Sequence, residues 1–292
     1  SRFGAEADGL DFCNTRWGFF PGVLPAWEIT SEPWVANVRG VDYLRLGVGL
    51  DIAGNDDVNY HAAHSYLASD KYLYSILGLS FAGIGNPKIQ WERTRRLNAS
   101  LHGTFLNNRL SLQLNAYKAE TDNLLILQKL SYLTGLEHYW GNGGAMSNQG
   151  FDLSLNGRVI VTRDWQWELG FSLGHYRNEI TSLPATDGYM DTELYGATVR
   201  SQVGQAAGVF YGYRSLGVFS TSEEAAAAAL YQVESNGTHT YFAAGDVYFA
   251  DLDGNHCIDE ADRTIIGDPN PDLYGNIFTS LSYKRLRLDV GL

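Results

Sequence analysis

Residues 94–118, TRRLNASLHGTFLNNRLSLQLNAYK, alternate strictly between apolar and polar side chains. Leu97, Ala99, Leu101 and Phe105 share one parity, and Asn98, Ser100, His102 and Thr104 share the other. Beyond the pair Asn107-Asn108 the pattern resumes, with Leu110, Leu112, Leu114 and Ala116 set against Ser111, Gln113, Asn115 and Tyr117. Successive side chains of an extended strand point to opposite faces, so period 2 on both sides of a short Asn-rich turn reads as a β-hairpin with one apolar face.

The same unit recurs. Phe151, Leu153 and Leu155 are followed, after a short connection, by Trp165, Trp167, Leu169, Phe171 and Leu173. Leu273, Ile277 and Leu281 lead to a turn at Lys284-Arg285 and then to Leu286, Leu288 and Val290. Leu44, Leu46, Val48 and Leu50 alternate with Arg45, Gly47, Gly49 and Asp51 after a turn at Arg39-Gly40. Turns within hairpins are a few residues long, whereas the connections 54–93, 119–147 and 178–272 are long. Compact soluble domains rarely carry structureless loops above about 12–15 residues. Short turns alternating with long loops fit a transmembrane β-barrel with strands of about ten residues, lipid outside and a polar lumen. A β-sandwich produces the same apolar-in, polar-out alternation, so the faces alone leave both open.

Composition supports an all-β reading. Gly stands at 32 and Tyr at 18, with charged residues at only 18%. The net charge of −12 leaves no basic stripe for nucleic-acid phosphates. No run of apolar residues is long enough for a transmembrane helix, which does not bear on a barrel, whose strands are only half apolar. The two cysteines, Cys13 and Cys257, form no metal-binding pair; one long-range disulfide or two free thiols both fit. Thr221-Ser222-Glu223-Glu224 before an Ala run predicts a short capped helix.

Enzymatic motifs are missing. There is no GxSxG and no HExxH, and His61 and His64 lack a third zinc ligand. The stretch DLDGNHCIDEAD places Asp251, Asp253, Asn255, Asp259 and Asp262 at positions 1, 3, 5, 9 and 12 of a calcium loop. His256 stands where such loops carry Gly, and a non-Gly residue there is expected at positive φ. The candidate calcium ligands are Asp251, Asp253, Asn255, the Cys257 carbonyl, Asp259 and Asp262. The competing reading is an Asx-rich turn held by its own side chains, with Arg263 pairing a carboxylate.

Several segments together resemble one family. NPKIQWERTRRLNASLHGTFLNNRLSLQLNAYKAETDNLL, SNQGFDLSLNG, GQAAGVFYGYRSLGVFSTSEEA and AGDVYFADLDGNHCIDEADRTIIGDPNPDLYGNIFTSLSYK are similar, in order, to the barrel of SusC/RagA TonB-dependent outer-membrane transporters. SRFGAEADG, WGFFPGVLPAWEIT and LRLGVGLDIAGN also fit. The resemblance implies that residues 1–292 are part of a TonB-dependent receptor β-barrel, expected to lack both ends and not to close alone. It implies import of oligosaccharides or peptides across a bacterial outer membrane, with a SusD-like surface lipoprotein as lid and TonB as the energy-coupling partner. No covalent chemistry and no required cofactor are implied. Region 178–272 becomes a long extracellular loop region holding the Asp-rich loop 251–262. Loop aromatics and amides that could stack on sugar rings or bond hydroxyls are Tyr139, Trp140, Asn142, Tyr211 and Tyr213. The rivals are a soluble, calcium-stapled glycan-binding β-domain, marked by a closed core, a hydrolase with unrecognised carboxylates, and a lidless siderophore receptor.

Overall fold

The computed structural model describes residues 18–35, 38–58, 62–72, 76–136, 138–185 and 187–292. The chain divides into two units, one formed by Ser1–Pro184 with Pro271–Leu292 and the other by Ala185–Asn270.

The first unit is an antiparallel meander of seven main strands: β1 Val41–Asn55, β2 Glu92–Phe105, β3 Leu110–Asp122, β4 Ala145–Val161, β5 Trp165–Ser182, β6 Tyr274–Tyr283 and β7 Leu286–Gly291. They pair in chain order without crossovers, and two short segments, Gly22–Val23 and Ala26–Glu28, pair with β1. The register aligns the apolar parities. Val48 faces Ala99, which faces Ala116, which faces Phe151. Leu46, Leu101, Leu114, Leu153 and Leu173 form the neighbouring row. Phe171 meets Ile277, and Leu281 meets Leu288. A one-residue slip anywhere would move a whole strand's apolar set to the polar side, so this matching pins the pairing.

The apolar face is uncovered. Leu50 is 63% exposed, Leu169 41%, Ile277 50% and Leu288 60%. A soluble sandwich would bury these side chains beneath a second sheet. On β5 the apolar parity runs from Trp165 to Leu173 and then turns to His175, Arg177 and Glu179. At about 3.3 Å per residue and a tilt of 35–45°, that stretch is roughly 20–25 Å tall, which matches a lipid-facing belt.

The strands are longer than the ten residues expected from sequence: β1 to β5 have 15, 14, 13, 17 and 18 residues. They continue past the belt, where the outward parity becomes charged. Cross-strand or near-neighbour ion pairs such as Arg95–Asp122 and Lys118–Glu120 make that extension compatible with water. The connecting segments are likewise not structureless. Residues 56–91 contain the hairpin Tyr66–Tyr72 with Ile76–Gly83, and residues 123–144 contain Leu125–Lys129 with His138–Asn142.

The short turns agree with the sequence. Leu106, Asn107 and Asn108 all adopt φ 59° between β2 and β3, and Lys284 adopts φ 54° between β6 and β7. Asn tolerates this left-handed region, so the Asn pair sits where the turn needs it. Inside the sheet, Gly170 and Gly174 lie beneath the Phe278 and Tyr274 rings, where a Cβ would fall 1.8 and 2.3 Å from ring atoms.

The second unit has its own core. Phe219, Ala225, Leu230 and Ile258 are buried together, with Tyr213, Phe242 and Phe249 against them. Its main sheet orders Tyr189–Leu194, Ala197–Gln202, Val209–Tyr213 and Arg263–Gly267. Helix α1, Ser222–Ala228, starts as the sequence predicts: Thr221 Oγ1 accepts the Glu224 N–H at 3.2 Å, and the Glu224 carboxylate accepts the Ser220 N–H at 2.9 Å. Most of region 178–272 is therefore a folded unit with its own core. Cys257 is buried and has no disulfide partner among the described residues, and Cys13 lies outside them, as does His61.

Candidate functional site

The first group of candidate contact residues lies on the strand His138–Asn142. The Tyr139 hydroxyl donates to Gln128 Oε1 at 2.7 Å. Trp140 packs on the buried cluster of Val58, Ala62, Ala63 and Ile89, and its carbonyl accepts from Asn86 Nδ2 at 3.1 Å. The same cluster explains the HAAH stretch, whose two alanines are core. Asn142 accepts the Gln90 N–H at 2.6 Å and donates to the carbonyls of Gln90 and Asn123 at 2.8 and 3.0 Å. That amide ties the segment before β2 to the turn after β3. Trp140 and Asn142 thus also hold the loops in shape, Trp140 by packing and Asn142 through its amide.

Tyr211 and Tyr213 lie in the insert, on the strand Val209–Tyr213, at a cleft of about 330 Å³ lined also by Thr198, Phe210, Arg263 and Ile266. Two arginines organise it: Arg200, which sequence reasoning did not single out, and Arg263, which it named only for a carboxylate pair. The Arg200 guanidinium sits 3.4 Å from the Tyr211 ring centre and 3.9 Å from that of Tyr189. Arg263 lies 5.0 Å from Tyr211 and 6.0 Å from Tyr213. Aromatic rings and guanidiniums therefore alternate across the sheet, an arrangement in which each cation meets a ring quadrupole. Asp191 holds Arg200 through two 2.8 Å bonds. Arg263 donates to Thr198 Oγ1 at 2.5 Å and pairs with Glu260 at 3.1 Å, as the sequence reading of an Arg263–carboxylate pair expected. Hydrogen bonds donated to these carboxylates raise both guanidinium pKa values, and burial raises that of the Tyr213 phenol. No local motif marks Arg263 and Thr198 as neighbours, since 65 positions separate them.

The aspartate loop is a closed hydrogen-bond system. Asp251 accepts the Gly254 and His256 N–H groups at 2.7 and 2.9 Å. These bonds, led by that from His256, lower the Asp251 pKa. Asp262, fully buried, accepts the Leu252 and Asp259 N–H groups at 2.7 and 2.9 Å. His256 has φ 63°, as expected for the position where calcium loops carry Gly. Of the six candidate ligands, the structure brings together the carboxylates of Asp251, Asp253 and Asp262, with oxygens within 4.8 Å of one another. Asp259 instead caps the short helical turn Glu260–Asp262 by accepting the Ala261 N–H. Asn255 turns its Nδ2 to Asp253 and its Oδ1 to the Cys257 N–H. The donor set suits a hard oxygen-seeking cation, and the Asx-turn bonds are present as well.

The sheet of the first unit carries an exposed apolar belt on one face and Asn, Ser, Gln and Asp on the other. A family model described as TonB dependent receptor-like, beta-barrel, matches residues 63–290. The chain belongs to that family. Its sheet is barrel wall and its place is the outer membrane. TonB-dependent receptor P3 of Formosa agariphila is 27% identical over 95% of this chain. TonB-dependent receptor SusC of Bacteroides thetaiotaomicron is 27% identical over 96% of it. Among solved structures, the RagAB peptide transporter aligns with TM-score 0.75 and 23% identity over 93% of the chain, a likeness of fold. The chain spans 28% of the P3 receptor, 27% of SusC and 28% of the RagAB chain. The TonB-dependent receptor relatives are receptors and transporters, not enzymes. Membership of that family sets aside the reading of a soluble calcium-stapled domain.

Proposed function

We propose that this chain forms part of a TonB-dependent importer of oligosaccharides or peptides, capped from outside by a SusD-like lipoprotein and driven by TonB. The observation that carries the reading is the in-register apolar belt backed by a polar face, in a chain of the SusC/RagA type. Lipid outside and a hydrated interior are what a nutrient conduit needs, and the transport step itself demands no bond making. The name of the aligned RagAB structure supports peptides, and the kinship with SusC supports the same class of machine.

Substrate contact falls to Tyr211 and Tyr213, whose cleft combines ring faces with guanidinium and hydroxyl donors. Tyr139 is a further contact candidate through its ring. Trp140 and Asn142 are contact candidates too, beside the loop architecture they hold. Calcium seats among Asp251, Asp253 and Asp262, offsetting the repulsion of three gathered carboxylates.

The test is purification of the full-length protein from its native outer membrane in mild detergent, with mass spectrometry of what accompanies it. A SusD-like lipoprotein in equal amount is expected. A lone detergent-dependent protein would turn the assignment to a lidless receptor. Calorimetric titration with calcium tests the metal site; neither heat nor a thermal shift at millimolar calcium removes it.

A further inference from the structure

The two rims of the sheet treat their cations differently. On the long-connection side, Arg95, Arg96, Lys118 and Arg177 each have a carboxylate partner, at 2.8 Å for Arg96–Asp51, 3.0 Å for Lys118–Glu120 and 3.8 Å for Arg177–Glu179, while Arg93, on the same side, has none among the described residues. The short-turn rim is one continuous edge, because backbone bonds join Leu106 to Gly40, Arg158 to Arg109 and Lys284 to Asp164. Residues 38–42, 105–110, 158–168 and 282–289 carry seven Arg or Lys and four Asp or Glu, in a chain of net charge −12. Glu168 is taken by Arg158 and Asp289 by Arg287, Asp42 accepts the Asn108 N–H, and Asp164 lines one surface with Arg163, Lys284 and Arg285 without an ion pair to them. Arg39, Arg109, Arg163, Lys284 and Arg285 have no carboxylate partner among the described residues.

These cations stand directly below the belt. Trp165 and Tyr283 lie on its outward parity with ring centres 4.4 Å apart, 44% and 37% exposed. Lys284 Nζ lies 5.2 Å from the Tyr283 ring centre. Exposed aromatic rings mark the bilayer interface, and long basic side chains reach from there to the headgroups. Passing from Tyr283 to Lys284, or from Trp165 back to Arg163, therefore crosses from acyl chain to phosphate depth.

We infer that the short-turn rim binds anionic glycerophospholipid in the periplasmic leaflet, with Arg163, Lys284 and Arg285 taking the headgroup phosphate and Trp165 and Tyr283 packing on the glycerol and upper acyl chain. The carboxylates that satisfy cations on the opposite rim are replaced here by lipid phosphates. The inference rests on the membrane placement of the belt, not on what is imported.

The test uses the full-length transporter in detergent, with phosphatidylglycerol and phosphatidylcholine of identical chains competing for it under native mass spectrometry. Wild type should retain phosphatidylglycerol preferentially. The Arg163→Gln, Lys284→Gln, Arg285→Gln triple variant should lose at least about tenfold of that preference. The charge-keeping triple, Arg163→Lys, Lys284→Arg, Arg285→Lys, should retain it, which separates a lost cation site from a misfolded rim. Equal retention of the two lipids by wild type, or an unchanged preference in the Gln triple, overturns the inference. So does complete displacement of the lipid by glycerol 3-phosphate at equal concentration, since the ligand would then be a free phosphate.

Discussion

The barrel wall and the insert obey opposite rules of burial. In the wall, apolar side chains point outward and remain exposed, and the sheet has no core of its own. In the insert, Ala185–Asn270, apolar side chains turn inward onto Phe219, which is 1% exposed. The insert also holds thirteen Asp or Glu against three Arg, so most of the chain's −12 charge resides there. The difference teaches that hydrophobicity alone does not say which way a residue faces. The solvent does: lipid accepts the wall's Leu and Val at no cost, while water drives the insert's Phe and Ile together.

That contrast can be broken most forcefully in the insert. Phe219→Ala should cost about 3–5 kcal/mol by opening a cavity. Limited proteolysis should then cut within 185–270 while the wall keeps its resistance; cleavage of both together would mean the two do not fold separately. On the wall, Leu169→Arg should cost about 2–4 kcal/mol of folding stability in lipid vesicles. The same change at Ser154, on the polar face, should be close to neutral. Equal costs at the two positions would show that Leu169 does not face lipid.

Finer tests address the aspartate loop. Asp262→Ala strands the buried N–H groups of Leu252 and Asp259, and should cost about 1–3 kcal/mol of insert stability. It should also abolish any thermal shift with calcium, as read by a melt with and without the ion. Thr221→Ala removes the cap of α1 and should cost about 1 kcal/mol. The smallest effect concerns acid. Asp251 has a lowered pKa in the folded loop, so its contribution is present above the unfolded carboxyl value and fades as pH falls below about 4 toward the folded value. Asp251→Asn should flatten that part of the insert's melting profile; an unchanged acid slope would assign it to another carboxylate.

Much of the wall was legible in order of residues, because period 2 and Asn or Lys turns are local properties. The alternation of Leu97–Phe105 and Leu110–Ala116, the turns at Asn107-Asn108 and Lys284-Arg285, the Thr221 cap and the positive φ of His256 all follow from a residue and its near neighbours. The aspartate spacing likewise located a carboxylate cluster, in which Asp251, Asp253 and Asp262 converge while Asp259 caps the turn beside them. What remained hidden depended on partners far away along the chain. Trp140 is held by packing on Val58 and Ile89, and Asn142 by Gln90. Arg263 meets Thr198 only because strands 65 positions apart share a sheet. Strand length past the belt rested on ion pairs such as Arg95–Asp122, which form only once β2 and β3 are in register. The sequence by itself determined which parity is apolar and where the chain turns, since sterics and side-chain alternation act over a few residues. Tertiary structure decided register, the insert's separate core and the company each tyrosine and aspartate keeps, since those contacts exist only after distant segments meet.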